Sequence, residues 1–272
     1  MRAGVDLNAY LQRIDYAGHP LADLASLRQL HLKHPIAIPF ENLATLIGEP
    51  VSLDIAAIQD KLVRRGRGGY CFEHNRLFCS VLEQLGFDVQ PLAARVTWQR
   101  SDPTAGARTH MLLLVRLQSD TYISDVGFGG LTLTAPLKLE TDRVQATPHE
   151  QFRITAKDGE FEVEARLDSD WKSLYRFDLQ PQQPVDFEVL NHYVATHPDS
   201  HFLTTLMAAR RTPNGLHTLH NASWRTYGRG RLVESGVIES VAALRSALSD
   251  LFTIPVPSGA RLDAALQRVL QA

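Results

Sequence analysis

Arg67-Gly68-Gly69-Tyr70-Cys71-Phe72-Glu73-His74-Asn75 places a cysteine at the end of a Gly-Gly turn, where the chain switches into a helix. Downstream, Leu77, Phe78, Val81, Leu82 and Leu85 recur at three- and four-residue steps and form one apolar face, which Gly86 ends. Cys71 therefore falls in the first helical turn, where unsatisfied N–H groups and the positive dipole end favour an anion. A thiol there is biased toward thiolate, the form that attacks carbonyl carbon. Arg64, Arg65 and Arg67 add positive charge nearby in sequence. The other reading is a buried structural cysteine, since a nucleophile needs its base elsewhere in the chain.

Candidate partners lie within the next sixty residues. His110 opens the apolar run His110-Met111-Leu112-Leu113-Leu114-Val115, too short and too apolar to be anything but a buried element. Gln118-Ser119-Asp120 is a turn signal, and Tyr122-Ile123-Ser124-Asp125-Val126 follows as a second strand before Gly127. A two-residue turn at Gln118-Ser119 sets His110 opposite Gly127 and Leu112 opposite Asp125. His110 and Asp125 then share a face one diagonal step apart, whereas a one-residue slip would put them on opposite faces.

A helix-start cysteine, an imidazole and a carboxylate that orients the imidazole are the parts of activated-thiol catalysis. Asp125 would fix the tautomer of His110, and His110 would hold Cys71 as thiolate. Taken singly, His110 also fits a core histidine and Asp125 a strand-end carboxylate bonding local N–H groups.

Five blocks along the chain resemble the arylamine N-acetyltransferases. They are His34 with Ile38-Pro39-Phe40-Glu41-Asn42-Leu43; Arg67 to Glu73; Thr109-His110-Met111-Leu112-Leu113; Asp125-Val126-Gly127-Phe128-Gly129; and Asn191 to Pro198 with Ser200-His201-Phe202. The resemblance implies a Cys–His–Asp triad at Cys71, His110 and Asp125, with acetyl-coenzyme A as co-substrate and no permanently bound cofactor. It implies an arylamine, arylhydrazine or N-hydroxyarylamine as acceptor. His74 stands where such proteins often carry Leu, a departure one turn beyond the nucleophile. Phe40, Val96, Phe128 and Phe202 match positions that face the acceptor pocket; each also fits an ordinary core. A flat apolar slot suits an aromatic amine, because ring burial supplies binding energy without a charged partner. Gly127, Phe128 and Gly129 follow Asp125 directly, and glycines there allow close approach of the acetyl or pantetheine end of coenzyme A, or simply make a strand-exit turn. Thr109 is a further candidate beside the reacting carbonyl.

Composition fits a soluble enzyme. Lys plus Arg number 28 against 30 acidic residues in 272, a net charge of −2, so no long-range field favours nucleic acid or an acidic membrane. The Arg64–Arg67 cluster reads as a solvated turn, with phosphate contact the functional alternative. No run approaches the ~20 apolar residues of a membrane span, and the N-terminus lacks a signal core. Cys71 and Cys79 lie about 12 Å apart along one helix at ~1.5 Å per residue, beyond disulfide reach, which fits a reducing cytoplasm. Nothing in the sequence fixes the oligomeric state.

The pattern divides the chain into three. Residues 1–86 read as helical: Leu7, Tyr10, Leu11 and Ile14 after an Asp6 cap, Leu21, Leu24 and Leu27 after a Pro20 start, and Ile55, Ile58 and Leu62 after Ser52 or Asp54. Residues 87–185 read as strands, including a hairpin about Asp158-Gly159. Residues 186–272 mix a helix through Phe187–Tyr193, strands split at Pro213-Asn214-Gly215 and Tyr227-Gly228, and helices near Val241–Leu251 and Leu262–Leu270. The resemblance implies an α+β fold made of a helical bundle carrying the nucleophile, an antiparallel β-barrel carrying His and Asp, and an α/β lid, with a core like that of papain-type thiol enzymes.

His31 with His34, Cys71 with His74, and His197 with His201 have spacings that metals use, but the remaining ligands are missing, so no metal is expected. The glycines of residues 64–69 and 228–230 lack the contexts of phosphate-binding loops. A peptidase or transglutaminase using the same triad is the rival enzyme; a binding module with an inert triad is the rival outside catalysis.

Overall fold

Carboxylates start three of the N-terminal helices. The computed structural model describes residues 4–100, 102 and 106–271. Asp6 accepts the Ala9 amide at 3.0 Å and opens α1 (Leu7–Arg13). Asp23 accepts the Ser26 amide at 2.7 Å and opens α2 (Leu24–Ala37). The expected Pro20 start is thus displaced: Leu21 lies outside the helix, two-thirds exposed, its amide given to Ser26 Oγ. A short strand β1 (Phe40–Glu41) and α3 (Leu43–Leu46) follow. Asp54 caps α4 (Ile55–Gln59), which runs into a π-helical turn over Asp60–Arg64. Helix α5 (Cys71–Gln84), which opens on Cys71, begins after Tyr70, and Gly86, at φ 89°, takes the left-handed turn that ends it.

Eight antiparallel strands make the second unit: β2 (Asp88–Val96), β3 (His110–Leu117), β4 (Asp120–Ser124), β5 (Leu137–Lys138), β6 (Gln145–Ala146), β7 (Gln151–Lys157), β8 (Glu160–Leu167) and β9 (Asp170–Phe177). Their order is β5-β4-β3-β2-β9-β8-β7-β6. The sheet nearly closes on itself. The Gln145 side chain bridges its two edges, accepting the Lys138 amide and donating to the Lys138 carbonyl, each at 2.8 Å. Strand β3 is buried on both faces, which explains its unbroken apolar run. Met111, Leu113 and Val115 pack on α5, while Leu112 and Leu114 fill the barrel with Phe152, Ile154 and Tyr175. The turn at Gln118-Ser119 has two residues, with Leu117 opposite Asp120 and Leu113 opposite Ser124. That is the register that puts His110 and Asp125 on one face.

The rest of the chain holds α6 (Pro184–Thr196), strands β10 (Met207–Thr212), β11 (Gly215–His220), β12 (Ser223–Gly228) and β13 (Arg231–Val237), then α7 (Val241–Asp250) and α8 (Ala260–Gln271). Expectation and structure differ at two turns. The last hairpin turns at Arg229-Gly230, both at positive φ, so Gly228 closes β12 instead of breaking it. A further turn at Asn221-Ala222, with Asn221 at φ 52°, separates β11 from β12. The second sheet has the order β1-β10-β11-β12-β13, so Phe40–Glu41, early in the chain, forms the edge of a sheet built from its end. Leu43 and Leu46 likewise join the core under α7 and α8. Among the described residues, no helix is long and apolar enough to cross a membrane.

Candidate active site

Cys71 occupies the first position of α5, and its thiol donates to the Thr109 carbonyl at 3.6 Å. Two glycines let the preceding turn fit. A Cβ on Gly68 would stand 2.7 Å from Glu41 Cγ and closer still to the Pro39 carbonyl; one on Gly69 would stand 2.6 Å from Glu73 Oε2. That carboxylate is the helix cap, accepting the Tyr70 amide at 3.1 Å and pairing with Lys61 at 2.8 Å.

The arginines divide. Arg64 and Arg65 are exposed, as a solvated turn requires, and Arg65 pairs with Asp60. Arg67 is buried and donates from Nε and Nη2 to Glu41 Oε1, at 3.0 and 2.7 Å. Its charge is therefore neutralised on the spot, and neither a solvated turn nor free phosphate contact describes it. The pair ties the turn before Cys71 to β1.

His110 Nε2 lies 2.7 Å from Asp125 Oδ2, with both residues buried. Burial alone lowers the His110 pKa; the Asp125 charge, its hydrogen bond and the neighbouring Cys71 more than offset this and carry it up to about 10. Burial likewise opposes the Asp125 charge, yet His110, Asn75 and the Gly127 amide hold its carboxyl below the ordinary range. The pair is thus imidazolium and carboxylate. With Nε2 committed to Asp125, Nδ1 is the nitrogen left for Cys71.

Asp125 is held from every side. Its Oδ1 accepts from Asn75 Nδ2 and the Gly127 amide, each at 2.9 Å, its own amide donates to His31 Nε2 at 3.2 Å, and its carbonyl accepts from Thr132 Oγ1 at 3.0 Å. The Tyr175 ring lies 4.9 Å from that of His110; burial first, and the Asp125 carboxylate next, push its phenol pKa well up. The pattern reading missed Asn75, His31 and Tyr175. Asn75 had a signal, since four residues after Cys71 it lies one turn along the same helical face. Tyr175 had none, because β9 joins the site only through its pairing with β2.

The remaining candidates divide as well. Gly127 is needed for close approach: a Cβ would stand 3.0 Å from Cys71 Cα and 2.9 Å from His74 Cβ. Its amide is given to Asp125 and that of Phe128 to Thr132 Oγ1 at 3.2 Å, so neither is open to a ligand. The Phe128 ring meets His110 edge-on at 5.1 Å. Gly129, at φ 88°, lies against the face of Phe40. Phe40 and Phe202 meet at 6.5 Å, and Phe202 reaches Tyr70 at 5.5 Å. Asn42 Nδ2 donates to the carbonyls of Phe202 and Thr205, fastening that turn beside β1. Val96 is the register partner of Tyr175. Thr109 presents its carbonyl to the thiol. His34 and His74 bond to each other at 2.9 Å, and His31 serves Asp125. Among the described residues, no three His, Cys, Asp or Glu side chains are grouped to hold a metal ion.

A thiol at a helix start facing an Asp-anchored histidine on an antiparallel barrel is the arrangement of a papain-like core. The N-acetyltransferase family model matches residues 23–261. The arylamine N-acetyltransferase of Escherichia coli K12 is 41% identical over 251 residues, covering 92% of this chain and 89% of that protein. The arylamine N-acetyltransferase / N-hydroxyarylamine O-acetyltransferase of Salmonella typhimurium is 40% identical over 252 residues, covering 92% of this chain and 89% of that one. The Mycobacterium marinum arylamine N-acetyltransferase, solved in complex with CoA, superposes with a TM-score of 0.93 at 41% identity, covering 97% of this chain and 99% of that one. The chain belongs to the arylamine N-acetyltransferase family, and it is an acyltransferase.

Proposed function

We propose that the protein carries an acetyl group from acetyl-CoA, through Cys71, to an arylamine, arylhydrazine or N-hydroxyarylamine. The observation that carries this reading is the His110–Asp125 bond at 2.7 Å beside a helix-start thiol, with an aromatic wall of Phe40 and Phe202 and with Phe128 edge-on to His110. The names of the Escherichia and Salmonella relatives support the acceptor class, and the CoA-bound marinum neighbour supports the donor.

Cys71 sulfur attacks the thioester carbonyl carbon, the bond to the coenzyme A sulfur breaks, and coenzyme A leaves with a proton from His110. The amine nitrogen then attacks the acetyl carbon, the bond to Cys71 sulfur breaks, and His110 takes the nitrogen-borne proton. Asp125 stabilises the imidazolium in both halves. An acceptor hydroxylamine oxygen follows the same course to an O-acetyl product. Thioester exchange is nearly balanced and amide formation runs downhill, so a thiol intermediate suits both steps. Phe40, Phe202, Phe128 and Val96 serve the acceptor ring, while Gly129 and the Thr109 backbone border the acetyl end of the donor.

Intact-protein mass spectrometry after mixing with acetyl-CoA alone tests the reading. One acetyl group is expected on Cys71, discharged on adding an arylamine, with parallel lines in two-substrate initial-rate plots. Intersecting lines with no acetylated protein overturn it. A thiol enzyme acting on polypeptide, the rival with the same triad, takes no acetyl group from the thioester.

A further inference from the structure

One buried polar chain takes no part in the triad. Tyr10 Oη lies 2.9 Å from His34 Nδ1, His34 Nε2 lies 2.9 Å from His74 Nδ1, and His74 Nε2 lies 3.2 and 3.1 Å from the carbonyls of Pro39 and Gly69. All three side chains are sealed from solvent. Carbonyls only accept, so the direction of every bond follows. His74 must carry its proton on Nε2, which leaves Nδ1 as acceptor. His34 must therefore donate from Nε2, which leaves its own Nδ1 to accept the Tyr10 hydroxyl. The chain runs one way, from α1 through α2 to α5, with every donor spent.

Its end point lies under the aromatic wall. Pro39 and Gly69 flank the bridge between Phe40 and Gly69, where Glu41 donates to the Gly69 carbonyl at 2.7 Å. The His74 N–H spans the two carbonyls of that bridge, and its ring stacks on Phe40 at 6.5 Å and 14°. A void of about 10 Å³, room for one water, lies among Phe40, His74, Val126, Gly129, Thr132 and Arg211. Phe202 and the Gly129 backbone touch the ring as well, while the bridge and the imidazole hold the strand that carries it.

We infer that His74 is the positioning residue of the acceptor slot, and that the hydrogen-bond chain from Tyr10 through His34 sets its orientation and so the placement of Phe40. The inference rests on the acetyl-transfer reading for naming the slot. It separates the half-reactions: the chain ends at a wall of the acceptor slot and does not include His110 or Asp125, so its loss raises the KM for the amine more than it slows acetylation of Cys71.

The test uses the full-length protein, acetyl-CoA and two anilines of different ring size, 4-methylaniline and 2-aminofluorene. Nitrogen-15 spectra of the unaltered protein are expected to show His34 and His74 neutral, each with its proton on Nε2; a proton on Nδ1 of His74 overturns the inference without any variant. Tyr10→Phe is expected to leave Cys71 acetylation unchanged and raise the aniline KM about threefold. His74→Leu is expected to raise it about tenfold, with a loss in the acetylation step at least fivefold smaller. His74→Gln, which keeps an N–H for the two carbonyls, is expected to recover most of that KM. Equal losses in both half-reactions, or an unmoved KM in folded His74→Leu and Tyr10→Phe, refute it. Absence of Cys71 acetylation in the unaltered protein refutes the activity reading, and the spectra still decide the chain.

Discussion

His110 and Asp125 meet through Nε2 and Oδ2 at 2.7 Å, and that choice of nitrogen decides the rest of the site. It turns Nδ1 toward the thiol, and the carboxylate is kept charged by Asn75 and Gly127 as well as by the imidazolium.

Asp125→Asn keeps the shape of the site and removes its charge. An amide there favours the wrong imidazole tautomer, so Cys71 acetylation by acetyl-CoA is expected to fall on the order of a thousandfold, with coenzyme A affinity little changed. Iodoacetamide should alkylate Cys71 more slowly at neutral pH in the same variant. Thermal unfolding recorded beside the kinetics checks that the hairpin survives. A folded variant that acetylates at a near-normal rate would remove Asp125 from the triad.

Cys79 is the internal control. It lies two turns into α5, fully buried, and burial pushes its thiol up to about 12. Peptide mapping after brief iodoacetamide treatment at neutral pH should find Cys71 carboxamidomethylated and Cys79 free. Activity should vanish with that first label, and Cys79→Ala should keep most of it. Preferential labelling of Cys79 contradicts the assignment.

Stability should fall on both sides of neutrality. Burial holds His31 and His74 down at about 4, against an ordinary 6.5 in the unfolded chain. Their contribution is complete above pH 6.5 and is lost as pH falls toward 4, by about 3 kcal/mol each. His110, raised to about 10, behaves oppositely: its contribution is complete below pH 6.5 and is lost as pH rises toward 10. Denaturant midpoints across pH 4–10 should trace a dome, and His74→Leu should flatten its acid limb. An acid limb of unchanged steepness in that variant would show that His74 is already charged in the fold.

The Arg67–Glu41 pair is structural. Arg67→Met leaves a carboxylate buried without its partner and should cost about 3–5 kcal/mol in urea unfolding. Adding Glu41→Gln removes that charge and should return much of the loss, while the amide oxygen still accepts from the Leu43 amide. No recovery in the double variant would mean that Arg67 contributes through packing alone.

Legibility in the sequence followed the range of the interactions. The α5 start, the Gly86 stop and the Gln118-Ser119 turn depend on residues a few positions apart, and each was readable from capping and turn chemistry. Once that turn length was given, the diagonal placement of His110 and Asp125 followed from strand parity. Leu21 misled because an apolar residue before a helix keeps the helical spacing, and only the competition between caps reveals Asp23 as the start. The Tyr227-Gly228 reading failed similarly: Gly228 pairs with Arg231 in the ladder, and the left-handed pair is Arg229-Gly230.

By itself the sequence determined most of the elements and the family, and singled out Cys71, His110 and Asp125 as candidates, because these are written in local spacing and ordered motifs. Tertiary structure decided what those residues touch. It gave Arg67 to Glu41, spent the Gly127 amide on Asp125, carried Phe40 to the edge of a sheet made from the far end of the chain, and brought Tyr175 against His110. It also aligned Tyr10, His34 and His74 through three helices. The physical reason is that buried charges and N–H groups must each find a partner, and the partner that satisfies them is set by packing across long stretches of chain, which no local pattern encodes.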